Sequence, residues 1–492
     1  MTIRVQANHK YVDEIQSVVQ IFFPHARFGG DGAADYAISS TIENDRVHAE
    51  IFAPIGLAAC ETNHRINKHS LDLAGLPAYL TEKRAAMLAM YHLLQSIFGA
   101  YTPWGALTGV RPTKMVREWL ASGQSDENII RELTDTLCVH EDRAKLAIEV
   151  AHAENRLADV ITSASGPLGL YVSIPFCPSR CVYCSFNTSH TLWDKATQAQ
   201  YIQAVIAECR EVSNYLQETG AQISSIYIGG GTPTALTDNL LTNLLTALQK
   251  IAAPKEYTVE AGRPDTITRN NLQIMRSHGV DRISINPQTI NNRTLQAIGR
   301  NHTSEDFLRA FEMAREEGFS TINADIIAGL PGEGPDDMHH TMEALAALGP
   351  ENITTHTLAV KRASKLNEQR GHALTKSNHE AHEKHEHALS GYAIPDAQAI
   401  ESQLKIAHDG CKALGLSPYY LYRQKNMAAL FENTGYSLPG HECLYNVGMM
   451  SEVQTVLGIG AGAVSKYIQG TRITRKFNVK NPEIYIQRKF PS

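Results

Sequence analysis

Leu170-Tyr171-Val172-Ser173-Ile174-Pro175-Phe176-Cys177-Pro178-Ser179-Arg180-Cys181-Val182-Tyr183-Cys184 opens as an apolar strand and runs at once into three cysteines spaced C-x3-C-x2-C. One tight loop thereby offers three thiolates, enough to hold three irons of a [4Fe–4S] cluster and leave the fourth iron without a protein ligand. A structural zinc site wants four closed ligands, usually from a second Cys or His pair, and none follows at a usual spacing. A disulfide framework fits no better. The other five of the eight cysteines, Cys60, Cys138, Cys209, Cys411 and Cys443, are scattered through 492 residues, and with no secretory segment in evidence they read as ordinary buried thiols.

Working outward, that strand is the first of six. Leu170–Ile174, Ser225–Ile228, Tyr257–Glu260, Arg282–Ile285, Thr321–Ile327 and Ile353–Thr357 are strand-like, and segments of helical length fill each interval. Such a rhythm predicts an α/β fold with a parallel, barrel-like sheet, whose chemistry belongs at the C-terminal ends of the strands. Cys177, Gly229–Thr232, Glu260, Gln288 and Asp325 all fall at or near those ends, so the polar motifs are expected on one rim.

Ahead of the barrel, residues 1 to about 60 suggest a small α+β unit: Thr2–Val5, a helix near Val12–Phe23, then Tyr36–Thr41 and Arg46–Phe52 around an Asn44-Asp45 hairpin turn. From Leu80 to about Ala158 the apolar spacing is helical. A linker composition at Thr162–Pro167 leads us to expect domains at 1–165, 166–370 and 371–492. A formal charge of −6 without a dense basic tract argues against nucleic acid as the main partner. No run of about 18 apolar residues predicts a membrane span, and the cytoplasm is the expected address.

The cysteine loop, with Tyr171–Phe176 before it, resembles that of radical S-adenosylmethionine (SAM) enzymes of the coproporphyrinogen III dehydrogenase (HemN/HemW) family. Gly229-Gly230-Gly231-Thr232-Pro233-Thr234, Val259-Glu260, Asn286-Pro287-Gln288, Arg300, Asn323–Pro331 and Gly458–Ala463 resemble further stations of it, in order, over about 300 residues. Trp104–Lys114 and Tyr422–Met427 make the chain most similar to the HemZ subgroup. The resemblance implies a partial (β/α)6 barrel with an N-terminal α+β and helical extension and a C-terminal accessory segment. It implies a [4Fe–4S] cluster on Cys177, Cys181 and Cys184, and SAM as the second cofactor.

By the same resemblance Tyr171 lies near the SAM sulfonium and is the candidate catalytic residue. Tyr183 packs beside the adenine, although a core tyrosine is an equally good reading. Gly230, Gly231 and Thr232 admit the methionyl amine, and Glu260, Gln288, Arg300 and Asp325 meet the ribose and the carboxylate. Ala359 and Val464 line the adenosine pocket. The implied reaction is oxygen-independent oxidative decarboxylation of coproporphyrinogen III to protoporphyrinogen IX by a 5′-deoxyadenosyl radical, in haem biosynthesis, with a flavodoxin or ferredoxin as reductant. Phe186 stands where the best known members carry a fourth cysteine, which brings the chain nearer HemW-like relatives. The alternatives are accordingly a haem-binding chaperone, with Cys443, His441 or the tract His372, His379, His382, His385 and His387 as iron ligands, or a HemN-like methyltransferase acting on another substrate. Lys361, Arg362, Lys365, Arg423 and Lys425 could pair propionates, though surface solvation is the commoner fate of such cations.

Overall fold

The structure is a computed structural model that describes residues 1–24, 26–29, 34–54, 63–73, 81–162, 167–184, 194–360, 364, 366, 393–424, 427–470 and 472–488. Phe186, Lys361, Arg362, Lys365, Lys425 and the histidine tract lie outside them. The chain divides into two compact units, Met1–Pro112 with Glu118–Ile148, and Thr113–Arg117 with Glu149–Ser492.

In the first unit five strands, β1 (Thr2–Ala7), β2 (Arg27–Phe28), β3 (Tyr36–Glu43), β4 (Arg46–Pro54) and β5 (Asn63–Asp72), form a sheet in the order β2-β1-β3-β4-β5. Asn44 and Asp45 turn β3 into β4 at φ 48° and 57°. Both values lie in the left-handed region that a tight hairpin requires and that Asn and Asp tolerate. Helices Val12–Phe22 and Glu82–Phe98 pack on this unit.

The second unit is built on six parallel strands: β6 (Pro167–Ile174), β7 (Gln222–Gly230), β8 (Glu256–Glu260), β9 (Arg282–Ser284), β10 (Thr321–Ala328) and β11 (Asn352–Thr357). Helices including Lys195–Thr219, Asp238–Gln249, Arg269–Ser277, Ser304–Glu316 and Pro335–Leu348 connect them. The C-terminal segment extends the same sheet at both ends. β12 (Ser417–Tyr422) and β13 (Asn433–Ser437) add antiparallel beyond β11, while β14 (Thr455–Ile459) joins β6 in parallel and carries β15 (Val464–Gln469) and β16 (Arg472–Phe477) outward. The order β12-β13-β11-β10-β9-β8-β7-β6-β14-β15-β16 has two unjoined ends, so the barrel is partial, as the rhythm and the resemblance together predict.

The two-residue period of the strands decides what reaches the interior. On β6, Leu168, Leu170, Val172 and Ile174 enter the main core, as do Ile226 and Ile228 of β7, Val259 of β8, Ile322, Ala324 and Ile326 of β10, and Ile353 of β11. The alternate positions are Tyr171, Tyr227, Glu260, Asp325 and His356, and they face the inside of the barrel. A polar interior along an apolar shell follows directly from this alternation.

Candidate functional site

A cavity of about 370 Å³ opens at the C-terminal ends of the parallel strands, a size suited to one small-molecule ligand. Cys177, Cys181 and Cys184 line it together with Tyr171, Tyr183, Gly230, Gly231, Thr232, Glu260, Gln288, Arg300, Asp325 and Ala359. Val464 does not line it. That residue heads β15, where its backbone closes on Gly458 so tightly that a Cβ there would lie 2.8 Å from the Val464 carbonyl.

The cysteine loop is held from several sides. Val182 N–H donates to Ile298 O at 3.0 Å, Cys184 N–H to Cys181 O at 3.1 Å, and Ser179 Oγ to Gly299 O at 3.0 Å. Thr232 Oγ1 lies 3.4 Å from Cys177 Sγ. Arg263 is gripped by both carboxylate oxygens of Asp265 at 3.0 and 3.1 Å, and its Nη1 reaches Ser179 Oγ at 3.0 Å and Cys181 Sγ at 3.8 Å. Burial pushes the Cys177 thiol up to about 11, with the Thr232 bond pulling it down and the neighbouring Cys184 and Cys181 adding to the rise. Three thiols this close repel as bare thiolates and need a cationic guest, which is the donor chemistry of an iron–sulfur cluster. Among the described residues no three Cys, His, Asp or Glu side chains converge on a single ion. A cluster makes no such demand, since it spreads its thiolates over separate irons.

Beside this loop runs the glycine turn after β7. Gly231 N–H donates to Ile174 O and Thr232 N–H to Phe176 O, both at 2.7 Å, so the backbone sews the turn to the start of the cysteine loop. A Cβ on Gly231 would lie 2.6 Å from Phe176 O and 2.7 Å from Ile174 O. Those are backbone atoms with little room to yield, and Gly231→Ala is therefore expected to destabilise the fold by about 1–3 kcal/mol and to lower the iron retained after reconstitution. Thermal unfolding and iron assay check this, and an alanine variant with native stability and iron would refute it.

Glu260, the last residue of β8, accepts from Tyr227 O–H at 2.6 Å and Gly230 N–H at 3.2 Å. Burial raises it to about 7, the Tyr227 bond opposing and the nearby Asp325 charge adding to the rise. Burial also pushes Asp325 up, but bonds from His356, Asn323 and Thr354 outweigh it and leave this carboxyl below its ordinary value. Its contacts include Asn323 Nδ2 at 2.8 Å and His356 Nε2 at 3.5 Å. Gln288 sits at φ 68°, a left-handed conformation unusual for a side-chain-bearing residue. It is fixed there by Gln288 N–H to Asp325 O at 2.9 Å and Ile327 N–H to Gln288 O at 3.0 Å. Arg300 spends Nη1 on the carbonyls of Gly262 and Asn286, both at 2.8 Å, while its buried Nε has no partner among the described residues. A buried donor left over at a cavity wall asks for an acceptor. Tyr171 stacks with Tyr227 and Tyr445 at ring-centroid distances of 6.3 and 6.1 Å, and burial raises the phenol well above its ordinary value, as it does for Tyr183.

The wall also contains residues to which the sequence reading gave no site role: Arg263, Asn286, His356, Tyr422, Gln424 and Asn433, of which Asn286, Tyr422 and Gln424 lay within runs it had singled out. His356 carried a usable signal, because it lies two residues after Thr354 on an alternating strand. Asn433 carried none, and the run that contains Tyr422 gave no sign of facing the site, since only the return of β12 and β13 beside β11 brings them in. Of the cations considered for propionate pairing, Arg423 is described; it is buried, donates to Leu430 O at 3.2 Å and does not line the cavity.

Residues 171–345 match the Radical SAM superfamily. A Bacillus subtilis (strain 168) protein described as "Oxygen-independent coproporphyrinogen-III oxidase-like protein HemZ" is 33% identical over 498 residues, covering 99% of this chain and 95% of its own length. "Heme chaperone HemW" of the same organism is 31% identical over 243 residues, 45% of this chain and 62% of that one. Among solved structures, "Coproporphyrinogen III oxidase (HemN) from Escherichia coli is a Radical SAM enzyme" superposes with a TM-score of 0.51 at 22% identity, over 68% of this chain and 71% of that one. At that identity the likeness speaks for the fold alone.

Proposed function

From the premise that the chain belongs to the radical SAM superfamily, in the HemN/HemW group and its HemZ-like branch, with a [4Fe–4S] cluster and SAM as its cofactors, we propose that it oxidatively decarboxylates propionate side chains of coproporphyrinogen III, each giving up one hydrogen atom to the adenosyl radical, CO2, and one electron to an external one-electron acceptor. When bound, the two cofactors together supply a 5′-deoxyadenosyl radical able to take a hydrogen atom from an unactivated carbon. The chain's own part is to bind and orient. Cys177, Cys181 and Cys184 would hold three irons, and Arg300 Nε would meet the SAM carboxylate. The backbone at Gly230 and Gly231 would admit the amine, and Glu260 and Asp325 would accept from the ribose hydroxyls. Tyr171, stacked and protonated, would wall off the sulfonium from water.

The observation that carries this reading over haem carriage is the position of the two candidate iron ligands that are described. Cys443 is 1% exposed and donates to Glu256 Oε1 at 3.4 Å, and His441 Nδ1 lies 2.8 Å from Thr321 Oγ1. Glu256 and Thr321 are the first residues of β8 and β10, so both ligands sit at the end of the barrel opposite the cysteine loop. The test is anaerobic: reconstituted protein with reductant, SAM and coproporphyrinogen III, followed by mass spectrometry. Loss of two CO2 per tetrapyrrole in step with 5′-deoxyadenosine is expected. An unchanged tetrapyrrole while SAM is cleaved would overturn it, and tight haem binding under the same conditions would favour the chaperone reading.

A further inference from the structure

Arg263, on the loop after β8, lines the cavity and has no part in the cofactor contacts assigned above. Its backbone is fixed by the 3₁₀ turn Pro264–Thr266 that follows. Thr266 N–H and Thr266 Oγ1 both donate to the Arg263 carbonyl, at 2.9 and 2.8 Å, and the Thr266 carbonyl accepts from Asn271 Nδ2 at 2.9 Å. The residue is only 3% exposed. Burying an ion pair costs desolvation that apolar residues of similar volume would avoid, so bracing a loop is a poor reason to place a guanidinium here.

The guanidinium is a planar fork with donors on both edges. Nε and Nη2 form one edge, and Asp265 holds both, at 3.0 and 3.1 Å. Nη1 belongs to the other edge and turns to the cysteine loop, where it meets Ser179 Oγ at 3.0 Å, the Ser179 carbonyl at 3.4 Å and Cys181 Sγ at 3.8 Å. Carboxylate and sulfur therefore lie on opposite edges of one cation, and the ion pair presents its positive end to Cys181. At 3.8 Å the hydrogen bond is long, so the charge counts for more than the bond. A buried charge at that distance is screened little by water or salt. Arg300, also buried at the cavity wall, spends Nη1 on the carbonyls of Gly262 and Asn286 instead.

We propose that Arg263 is a positioning residue that raises the reduction potential of the cluster through Cys181, and that Asp265 both holds it in place and moderates its effect. The step concerned moves one electron from an external one-electron reductant to the cluster, with no bond made or broken. The cluster gains a negative charge, which a cation beside a ligand sulfur favours. Net charge and hydrogen bonds to the sulfurs are among the protein's means of moving cluster potentials. The proposal rests on the functional reading above only for the seat of the cluster on Cys177, Cys181 and Cys184, and the substrate does not enter it.

The test uses reconstituted holoprotein without SAM, titrated anaerobically with dithionite and mediators while electron paramagnetic resonance reads the reduced cluster. Arg263→Met removes the charge and keeps an unbranched side chain. It is expected to shift the reduced-to-oxidised ratio at a fixed potential about tenfold towards oxidised, a fall of about 59 mV in midpoint for one electron. Asp265→Asn keeps the shape and leaves the guanidinium uncompensated, so its midpoint should rise. Opposite signs from two touching residues are a signature that a mere loop brace cannot give. Wild-type midpoints in both variants would overturn the proposal, as would shifts of the same sign. An Arg263→Met chain that cannot hold iron, beside an Asp265→Asn chain with the wild-type midpoint, would make Arg263 a brace. Weakened SAM binding by calorimetry with an unmoved midpoint would make it a cofactor contact. Opposite shifts in a protein that leaves coproporphyrinogen III unchanged would keep this role and remove only the substrate assignment.

Discussion

Replacing Cys181 by serine is expected to abolish cluster loading and, with it, all SAM cleavage. Cys181 is the middle one of the three proposed ligands and is 8% exposed, so a hydroxyl there can neither match thiolate softness toward iron nor find solvent. Its sulfur also receives the Arg263 N–H at 3.8 Å, and hydrogen bonds to cluster sulfurs are among the protein's means of setting cluster potential. Removing an outer-shell partner of a metal ligand lowers affinity by roughly 10–100-fold, and removing the ligand itself must exceed that. Iron and sulfide assay, the visible absorbance of the reconstituted protein and 5′-deoxyadenosine release measure the loss. Because the six-stranded core does not depend on this sulfur, far-ultraviolet circular dichroism should be unchanged. A serine variant retaining a full cluster would show that the ligand set is misassigned.

Glu260→Gln should change how SAM binding depends on pH. In the cofactor-free chain burial holds Glu260 near 7, so below that value the carboxyl carries a proton that a sulfonium-bearing, hydroxyl-donating ligand must displace. Affinity is therefore expected to rise by up to tenfold per pH unit up to about 7 and then level off. Glutamine removes the dependence and, above pH 7, weakens binding by roughly tenfold to a hundredfold, the value of a charge-assisted hydrogen bond. The same shift acts on stability in the opposite direction to a usual surface carboxylate. Between the ordinary glutamate value of 4.5 and about 7 the native state binds more protons than the unfolded chain, so this group's contribution is lost as pH rises through that window. Calorimetric titration of the reconstituted protein at several pH values reads the first effect. An affinity independent of pH in wild type would remove Glu260 from the cofactor contacts.

Much of this was legible in the chain because strand alternation and chemistry reinforce each other. Val259-Glu260 and Asn323-Ala324-Asp325-Ile326 each set a carboxylate among core-facing neighbours, a placement that is hard to explain except by an interior polar site. The Asn44-Asp45 turn was legible for a similarly local reason. Arg263 was not, because its partners Asp265, Ser179 and Cys181 meet only when the β8 and β6 loops converge. Nor could spacing reveal that residues 417–477 would rejoin the sheet at both of its ends, since strand pairing across long intervals leaves no periodic trace. Val464 shows the converse limit: a residue in a suggestive run can be spent on backbone packing against Gly458.

The two backbone latches from Gly231 and Thr232 to Ile174 and Phe176 make the cysteine loop and the glycine turn, the proposed seats of cluster and SAM, a single mechanical part. Neither can be ordered without ordering the other, so the two ligands share one conformational cost. Thermodynamic reciprocity then links the two affinities: by whatever factor cluster loading tightens SAM, SAM must tighten the hold on the cluster by the same factor. At equilibrium, raising SAM would accordingly raise the fraction of chains that hold a cluster, and withdrawing SAM would lower it.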